Sequence, residues 1–217
     1  MAIKLDAAQI ANVYAGATPV SKVALGSALV WSAAPPPAPV TTLVDVSDDG
    51  YHYYPFQPAD YLDAVSVALW PGQAARVFCR FQLPADFDAT KPIVASRLRF
   101  TSRNADGAAQ TRLHGYRAKN ALAPANLEGS AALTQVANLT SASVLWDMPA
   151  TAADEAFWSP DLAGVLNELL ALGNAAGDNI VIWAVNTASG WIEKDVRASE
   201  AGPNGRPALE ITYWEGG

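Results

Sequence analysis

Residues 75–83 read Ala-Arg-Val-Phe-Cys-Arg-Phe-Gln-Leu, and residues 93–102 read Ile-Val-Ala-Ser-Arg-Leu-Arg-Phe-Thr-Ser. Both stretches are rich in the β-branched and aromatic residues that favour strands. Further runs of this kind, separated by turns, are Thr41–Val46, Ala64–Trp70, Thr111–Ala118, Ser143–Asp147, Ile180–Val185 and Ala208–Trp214. Eight such strands predict a mainly β protein, a two-sheet antiparallel β-sandwich of the jelly-roll kind.

One segment departs from the strand pattern and predicts a short helix. Ser159 can serve as its N-cap, Pro160 fits the first helical position, and Asp161 favours the positive end of the helix. The apolar stripe consists of Leu162, Val165, Leu166, Leu169 and Leu170. We expect this helix to lie across one end of the sandwich and to close its core.

The composition narrows the class of protein. With 217 residues, 51% hydrophobic and 16% charged, the chain can bury one substantial core. A formal net charge of −7 makes nucleic acid a poor partner. The apolar run Val23–Trp31 is interrupted by Gly26 and Ser27 and is too short to cross a bilayer of ~30 Å, so no membrane insertion is expected. The single cysteine, Cys79, lies in a predicted strand and is expected to be a small buried hydrophobe.

The first forty residues differ from the rest. Residues 34–40 read Ala-Pro-Pro-Pro-Ala-Pro-Val, a semi-rigid spacer, and therefore predict a linker between residues 1–33 and a domain over 41–217. Before the linker, Val13-Tyr-Ala-Gly-Ala-Thr-Pro-Val20 is echoed by Val23-Ala-Leu-Gly-Ser-Ala-Leu-Val30 and then Trp31. Each copy predicts a small hairpin that turns at its glycine and needs a partner surface to cover its apolar face.

Residues 3–31 resemble the N-terminal module of many tailed-bacteriophage tail and minor structural proteins. The resemblance implies a virion protein, assembled in the host cytoplasm, whose N-terminal segment attaches it to other virion proteins. The attachment residues would be Val13, Tyr14, Val20, Val23, Leu25, Val30 and Trp31. Pro19 departs from the module, which is usually polar at that position. The alternative is a small β-meander packed on the main domain.

Residues 41–214 resemble the DNRLRE-type carbohydrate-binding-like β-sandwich family. The matching pieces, in order, are Arg76–Leu83, Ile93–Phe100, Trp146, Trp158–Leu162 with its helix, and Arg206–Tyr213. The family's Trp-Asn-Asn loop is replaced after Trp146 by Asp147-Met-Pro. The resemblance implies a carbohydrate-binding-like domain that lacks this loop.

The sequence offers little for catalysis or for a metal. Only His52 and His114 could act as an imidazole base, and no Gly-x-Ser-x-Gly elbow accompanies them, so no enzyme is predicted. We expect His52 to belong to an aromatic turn or a surface aromatic patch, and His114 to be a solvated strand position. Carboxylate pairs for glycoside hydrolysis, Asp60 with Asp63 or Glu193 with Asp195, would form only by accident of folding.

No cofactor is expected. The carboxylates of Asp45, Asp48 and Asp49 could hold Ca²⁺, but a solvated acidic turn is the favoured interpretation.

Aromatic residues near predicted loops are the strongest indication of a ligand, because sugar faces stack on such rings. We select Tyr51, Tyr53, Tyr54 and Trp191 as ligand-binding residues, and we expect Trp146, Trp158 and Trp183 to pack in the core. The leading hypothesis is a virion protein that displays its sandwich for binding a host-surface polysaccharide. The alternatives are a capsid or tail decoration protein without a ligand and, last, a polysaccharide depolymerase. Self-association into a homo-oligomer stays open.

Overall fold

The structure is a computed structural model that describes residues 13–15, 18–20, 22–25, 28–32, 38–53, 66–69, 75–121, 138–186, 194–202 and 205–214. For residues 13–15, 18–20, 22–25, 28–32, 48, 50–53, 66–69, 75, 76, 186 and 200, it describes the backbone alone. The chain divides into two compact units, Met1–Ala38 and Pro39–Gly217.

The N-terminal unit contains the two hairpins expected from the sequence. Strand β1 (Val13–Ala15) pairs with β2 (Thr18–Val20), and β3 (Lys22–Leu25) pairs with β4 (Ala28–Ser32), both antiparallel. Val13 lies opposite Val20, and Val23 lies opposite Trp31. Two-stranded hairpins of this size are marginal by themselves. Attachment through them stays a prediction.

The second unit is a mainly β sandwich, as predicted. In sheet order, the five-stranded sheet is β11 (Leu139–Met148), β10 (Ala109–Tyr116), β13 (Asn179–Asn186), β8 (Ala75–Gln82) and β6 (Asp48–Tyr53). The four-stranded sheet is β12 (Ala156–Trp158), β9 (Ala95–Thr101), β15 (Ala208–Tyr213) and β5 (Val40–Asp45). A separate antiparallel pair joins β7 (Ser66–Leu69) to β14 (Lys194–Arg197).

The order of the strands is that of a jelly roll. The chain passes to the other sheet after β5, β8, β9, β11 and β12, so neighbours in a sheet are seldom neighbours in the sequence. The first strand of the sandwich, β5, therefore pairs with its last, β15. All eight predicted strands are present, whereas β6, β12 and β14 were not predicted.

The main core lies between the two sheets and contains an aromatic cluster. The rings of Phe100 and Trp146 stack with centroids 5.8 Å apart, and Phe157 lies 5.4 Å from Trp146. Cys79 is buried in this core, as expected for a small hydrophobe. Such aromatic pairs add about 0.5–1.5 kcal/mol each to the stabilisation that burial provides.

Strand β13 is buried on both faces. Ile182 faces the main core, whereas Val181 and Trp183 lie on the opposite face in a second apolar cluster with Phe78. The rings of Phe78 and Trp183 meet edge to face at 5.3 Å. Burial on both faces explains why this strand is an uninterrupted apolar run rather than an alternating one.

The helix α1 (Ala163–Leu170) packs on β9, β10 and β11 and so closes one edge of the sandwich. The predicted N-cap at Ser159 is wrong. The hydroxyl of Ser159 instead accepts a hydrogen bond from the Leu98 amide, at 2.9 Å. The helix begins after Asp161, whose Oδ1 accepts the Ala163 amide at 3.0 Å. Pro160 accordingly precedes the helix.

Candidate functional site

The structure does not describe the side chains of the residues that the sequence predicts to bind a ligand. Tyr51 and Tyr53 are in the unpredicted strand β6, where the backbone alone is described. Tyr54 and Trp191 lie outside the described residues. The predicted attachment residues, Val13 to Trp31, are placed in β1 to β4 by their backbone only. Their roles stay predictions.

Trp158 is not a core residue, contrary to expectation. In β12, Phe157 points into the core and is 5% exposed, and the alternation of the strand places the half-buried Trp158 on the outer face of the four-stranded sheet. Trp146 and Trp183, in contrast, are buried as expected. The next strand, β9, sets Arg99 directly opposite Trp158. The outer face of this sheet therefore carries an aromatic ring.

Two arginines surround the ring of Trp158. The guanidinium carbon of Arg97 lies 4.9 Å from the ring centroid, and that of Arg99 lies 6.0 Å from it. Both distances fall within the range of cation–π attraction. Because Arg97 and Arg99 are two positions apart in β9, their side chains share the outer face.

Glu210 in β15 orients Arg97. Its Oε1 accepts hydrogen bonds from Nε and Nη2 of Arg97, at 3.0 and 2.7 Å. Arg99 is held less firmly, since its Nη2 donates only a long bond of 3.5 Å to the carbonyl of Arg206. Among the described residues, the Nε of Arg99 has no hydrogen-bond partner. The surface thus contains one guanidinium that is fixed by a carboxylate and one that forms no ion pair with a described carboxylate.

The same face continues across β15 and β5. Asp45 lies 3.7 Å from Arg206, and the hydroxyls of Thr41 and Thr212 hydrogen-bond at 2.9 Å. The exposed side chain of Leu43 lies opposite Glu210. We call the group of Arg97, Arg99, Trp158, Arg206 and Glu210 the Trp158 surface. It carries three guanidinium groups and one carboxylate in a chain whose net charge is −7.

A second polar cluster is buried around Lys194 in β14. Its ammonium donates to the carbonyl of Pro149 at 2.8 Å and to the hydroxyl of Thr151 at 2.5 Å, with the Gly107 carbonyl at 3.5 Å. The ammonium also lies 4.8 Å over the ring of Phe157. Burial lowers the pKa of Lys194, while the Asp106 and Glu155 carboxylates act in the opposite direction. The contacts tie two loops to β14.

Asp195, one of the carboxylates considered for hydrolysis, belongs to the same region. Its Oδ2 accepts the amide of Asn104 at 2.8 Å, and its backbone amide donates to Asp106 at 2.9 Å. Its proposed companion, Glu193, lies outside the described residues, as do Asp60 and Asp63. The described contacts make Asp195 part of a structural network that holds the loop after β9.

Two carboxylates of the predicted acidic turn, those of Asp45 and Asp49, bind different partners. Asp49 is buried and accepts hydrogen bonds from the amide and hydroxyl of Ser199, at 2.9 and 3.1 Å. Asp45 instead pairs with Arg206, and the side chain of Asp48 is not described. Within the described residues, no group of three His, Cys, Asp or Glu side chains could hold a metal ion. A calcium site stays untested.

The two histidines that the sequence offers as bases, His52 and His114, lie on the five-stranded sheet. His114 is half-buried on its outer face, on the same side of β10 as Arg112 and Tyr116, and its Nδ1 lies 3.1 Å from the Thr140 carbonyl. His52 is placed in β6 by its backbone, so the expected aromatic turn is a strand there.

Among the described helices, none is long and apolar enough to span a membrane.

Sequence reasoning missed the Trp158 surface because it assigned Trp158 to the core. The signal was the pattern of residues 156–158, in which one of two adjacent aromatic rings must face outward if the segment is a strand. No protein-family profile matches this chain, and no curated protein matches it significantly. The likeness to the DNRLRE-type family and to the phage module therefore stays an interpretation of the motifs quoted above.

Proposed function

We propose that this chain is a structural protein of a tailed-bacteriophage virion, without catalytic activity of its own. Residues 1–33 would attach it to other virion proteins, and the sandwich would bind a polysaccharide of the host surface. The binding site would be the Trp158 surface. This site replaces the tyrosines and Trp191 as the first residues to test, because its side chains are described.

The observation that carries the binding proposal is the combination of the Trp158 ring with the guanidinium of Arg99. Sugar recognition needs an apolar ring for the faces of the pyranose and polar groups that fix the hydroxyls. Trp158 offers the ring, and Arg99 offers a guanidinium that forms no ion pair with a described carboxylate.

The position of these residues on strands supports the same proposal. Sites built on strands are held more firmly than sites on loops. Arg97 is fixed further by two hydrogen bonds to Glu210, so little side-chain entropy would be lost on binding.

The binding test compares three forms of the full chain on a printed array of bacterial surface glycans. Arg99→Gln removes the guanidinium, and we expect affinity for the bound glycans to fall about ten-fold or more, as for loss of a charged hydrogen bond. Arg112→Gln is the matched control, because Arg112 is a half-buried arginine on the outer face of the other sheet. Equal binding by all three forms would contradict the choice of site.

The virion proposal has its own test. Antibody raised against residues 41–217 should label intact particles in electron micrographs, and unlabelled particles would overturn the proposal. Labelled particles combined with no glycan binding by the unsubstituted protein would indicate the decoration role instead. Release of reducing ends from a bound polysaccharide would indicate a depolymerase and contradict the non-catalytic role.

A further inference from the structure

The edges of the two sheets are not equally protected. An edge strand exposes a row of unpaired backbone groups, and proteins usually block such edges. At the edge strand β11, the carboxylate of Glu168 accepts the backbone amides of Ser141 and Ala142, at 2.9 and 2.8 Å. The edge strand β12 is only three residues long. The first edge is thus capped at these two residues, and the second is too short to form a long ladder with another chain.

Strand β5 is an edge of a different kind. It is six residues long, Val-Thr-Thr-Leu-Val-Asp, and contains no proline or lysine. Every second residue is exposed, namely Thr41, Leu43 and Asp45, and Leu43 is 46% exposed. A β-prone strand with an exposed leucine at its centre is the kind of edge that proteins cover with a partner.

The hydrogen bonds on either side of β15 show which backbone groups of β5 point away from β15. The amide of Val46 donates to the carbonyl of Pro207 at 3.0 Å, so the backbone groups of Val46 point toward β15. Backbone direction alternates along an antiparallel strand, so Thr42 and Val44 also face β15. On the other side of β15, the amide of Val94 donates to the carbonyl of Thr212 at 2.8 Å, which fits the same alternation.

The exposed residues of β5 are therefore also the ones whose amides and carbonyls point away from the sheet. Thr41, Leu43 and Asp45 each direct one donor and one acceptor outward. Side-chain exposure and backbone direction thus define one continuous edge.

We infer that β5 pairs antiparallel with β5 of a second copy of this chain, about a two-fold axis that passes beside Leu43. In this register Leu43 lies opposite Leu43 of the second copy, and Thr41 lies opposite Asp45 of the second copy. Each of the three outward residues of one copy then forms a hydrogen-bonded pair with an outward residue of the second copy, which gives about six backbone hydrogen bonds in total. The two four-stranded sheets become one continuous sheet.

The sequence of the edge favours this register over those centred on Asp45 and on Thr41. Centring the pair on Asp45 would place two carboxylates directly opposite each other, which is destabilising. Centring it on Thr41 would place Leu43 opposite Pro39, which has no amide hydrogen to donate. Centring it on Leu43 joins two apolar side chains and sets each carboxylate beside a threonine. The edge is self-complementary, as an isologous dimer requires.

Sedimentation equilibrium of the full chain tests the inference. The unsubstituted protein should dimerise, and Leu43→Pro should weaken the dimer at least ten-fold, because it removes an amide that points away from β15 and would donate across the dimer. Leu43→Val is the matched control, since it keeps both the amide and an apolar side chain, and it should dimerise like the unsubstituted protein. A thermal melt shows whether Leu43→Pro is folded.

A second variant covers the case in which Leu43→Pro does not fold. Leu43→Lys places two ammonium groups opposite each other in the proposed register and should also weaken the dimer at least ten-fold. A monomeric unsubstituted protein would overturn the inference. So would an oligomer that Leu43→Lys leaves unchanged, because that oligomer would form through another surface.

Discussion

Lys194 donates a hydrogen bond of 2.5 Å to the hydroxyl of Thr151, although the lysine side chain is fully buried. The hydroxyl of Thr151 in turn donates to Ser102 at 3.0 Å, so the lysine heads a chain of buried polar groups. Lysine is seldom buried without a carboxylate partner, because removing its charge from water is costly. Here backbone carbonyls and a hydroxyl take that place.

Lys194→Met should lower the free energy of unfolding by about 1–3 kcal/mol, because it leaves the Pro149 carbonyl and the Thr151 hydroxyl buried without their donor. Methionine keeps most of the volume of the side chain, so a cavity adds little. Urea unfolding followed by circular dichroism measures the change. The control is Lys91→Met, at an exposed lysine paired with Asp88, which should change stability by less than about 0.5 kcal/mol.

The stability of the protein should respond to alkaline pH through Lys194. Burial lowers the pKa of Lys194 below the ordinary lysine value of 10.5, so between the two values the unfolded chain binds more protons than the folded one. Stability due to this group therefore rises with pH across that window and is unchanged below it. The stability of the unsubstituted protein minus that of Lys194→Met, measured from neutral pH to pH about 10, should increase. A flat or falling difference would contradict the burial effect.

Two glycines should respond in opposite directions to alanine. A Cβ at Gly115 would lie 2.8 Å from Cδ1 and 2.9 Å from Cγ of Leu169, so Gly115→Ala must displace the buried side chain of Leu169 and should cost about 1–3 kcal/mol. Gly164 lies on the exposed side of α1, with nothing within 4 Å of its Cβ position. Gly164→Ala should therefore stabilise the protein by about 0.5–1 kcal/mol. Paired thermal melts measure both changes.

Attachment to the particle should depend on the second hairpin. Trp31 lies opposite Val23 in that hairpin, whose two strands cannot bury an apolar face by themselves. Trp31→Ala in the full chain should lower the number of copies per particle, as measured by quantitative blotting of purified virions. Ser32→Ala, at the adjacent position, is the control and should be incorporated normally. Normal incorporation of Trp31→Ala would argue against attachment through this residue.

The sequence predicted the sandwich well because its strands follow simple rules. Two of its runs show apolar residues that alternate with polar ones or follow each other without a break, namely Ala75–Leu83 and Ala208–Trp214. Both are strands, and their limits lie within one residue of those expected. The helix was predicted from its apolar stripe, but its start was not. Ser159 and Asp161 are both residue types that often cap helices, but both accept backbone amides of β9, and the N-cap position is taken by Leu162.

The candidate site could not be predicted for a different reason. Trp158 is large and apolar, and only its position in a three-residue strand places it outside the core. Lys194 is the reverse case. A lysine between Glu193 and Asp195 indicates a solvated segment. However, β14 pairs with β7 and is also bridged to Ser102, and these contacts bury the lysine side chain. Long-range pairings decide both positions, and local sequence does not contain them.

The pairing of β5 with β15 also constrains when the protein can fold. Residues 40–45 leave the ribosome well before their partner strand, Ala208–Tyr213. The four-stranded sheet, in which β15 lies between β9 and β5, cannot close until that strand has been synthesised. Until then, the apolar strands of the sandwich stay unpaired in part and depend on chaperones to escape aggregation.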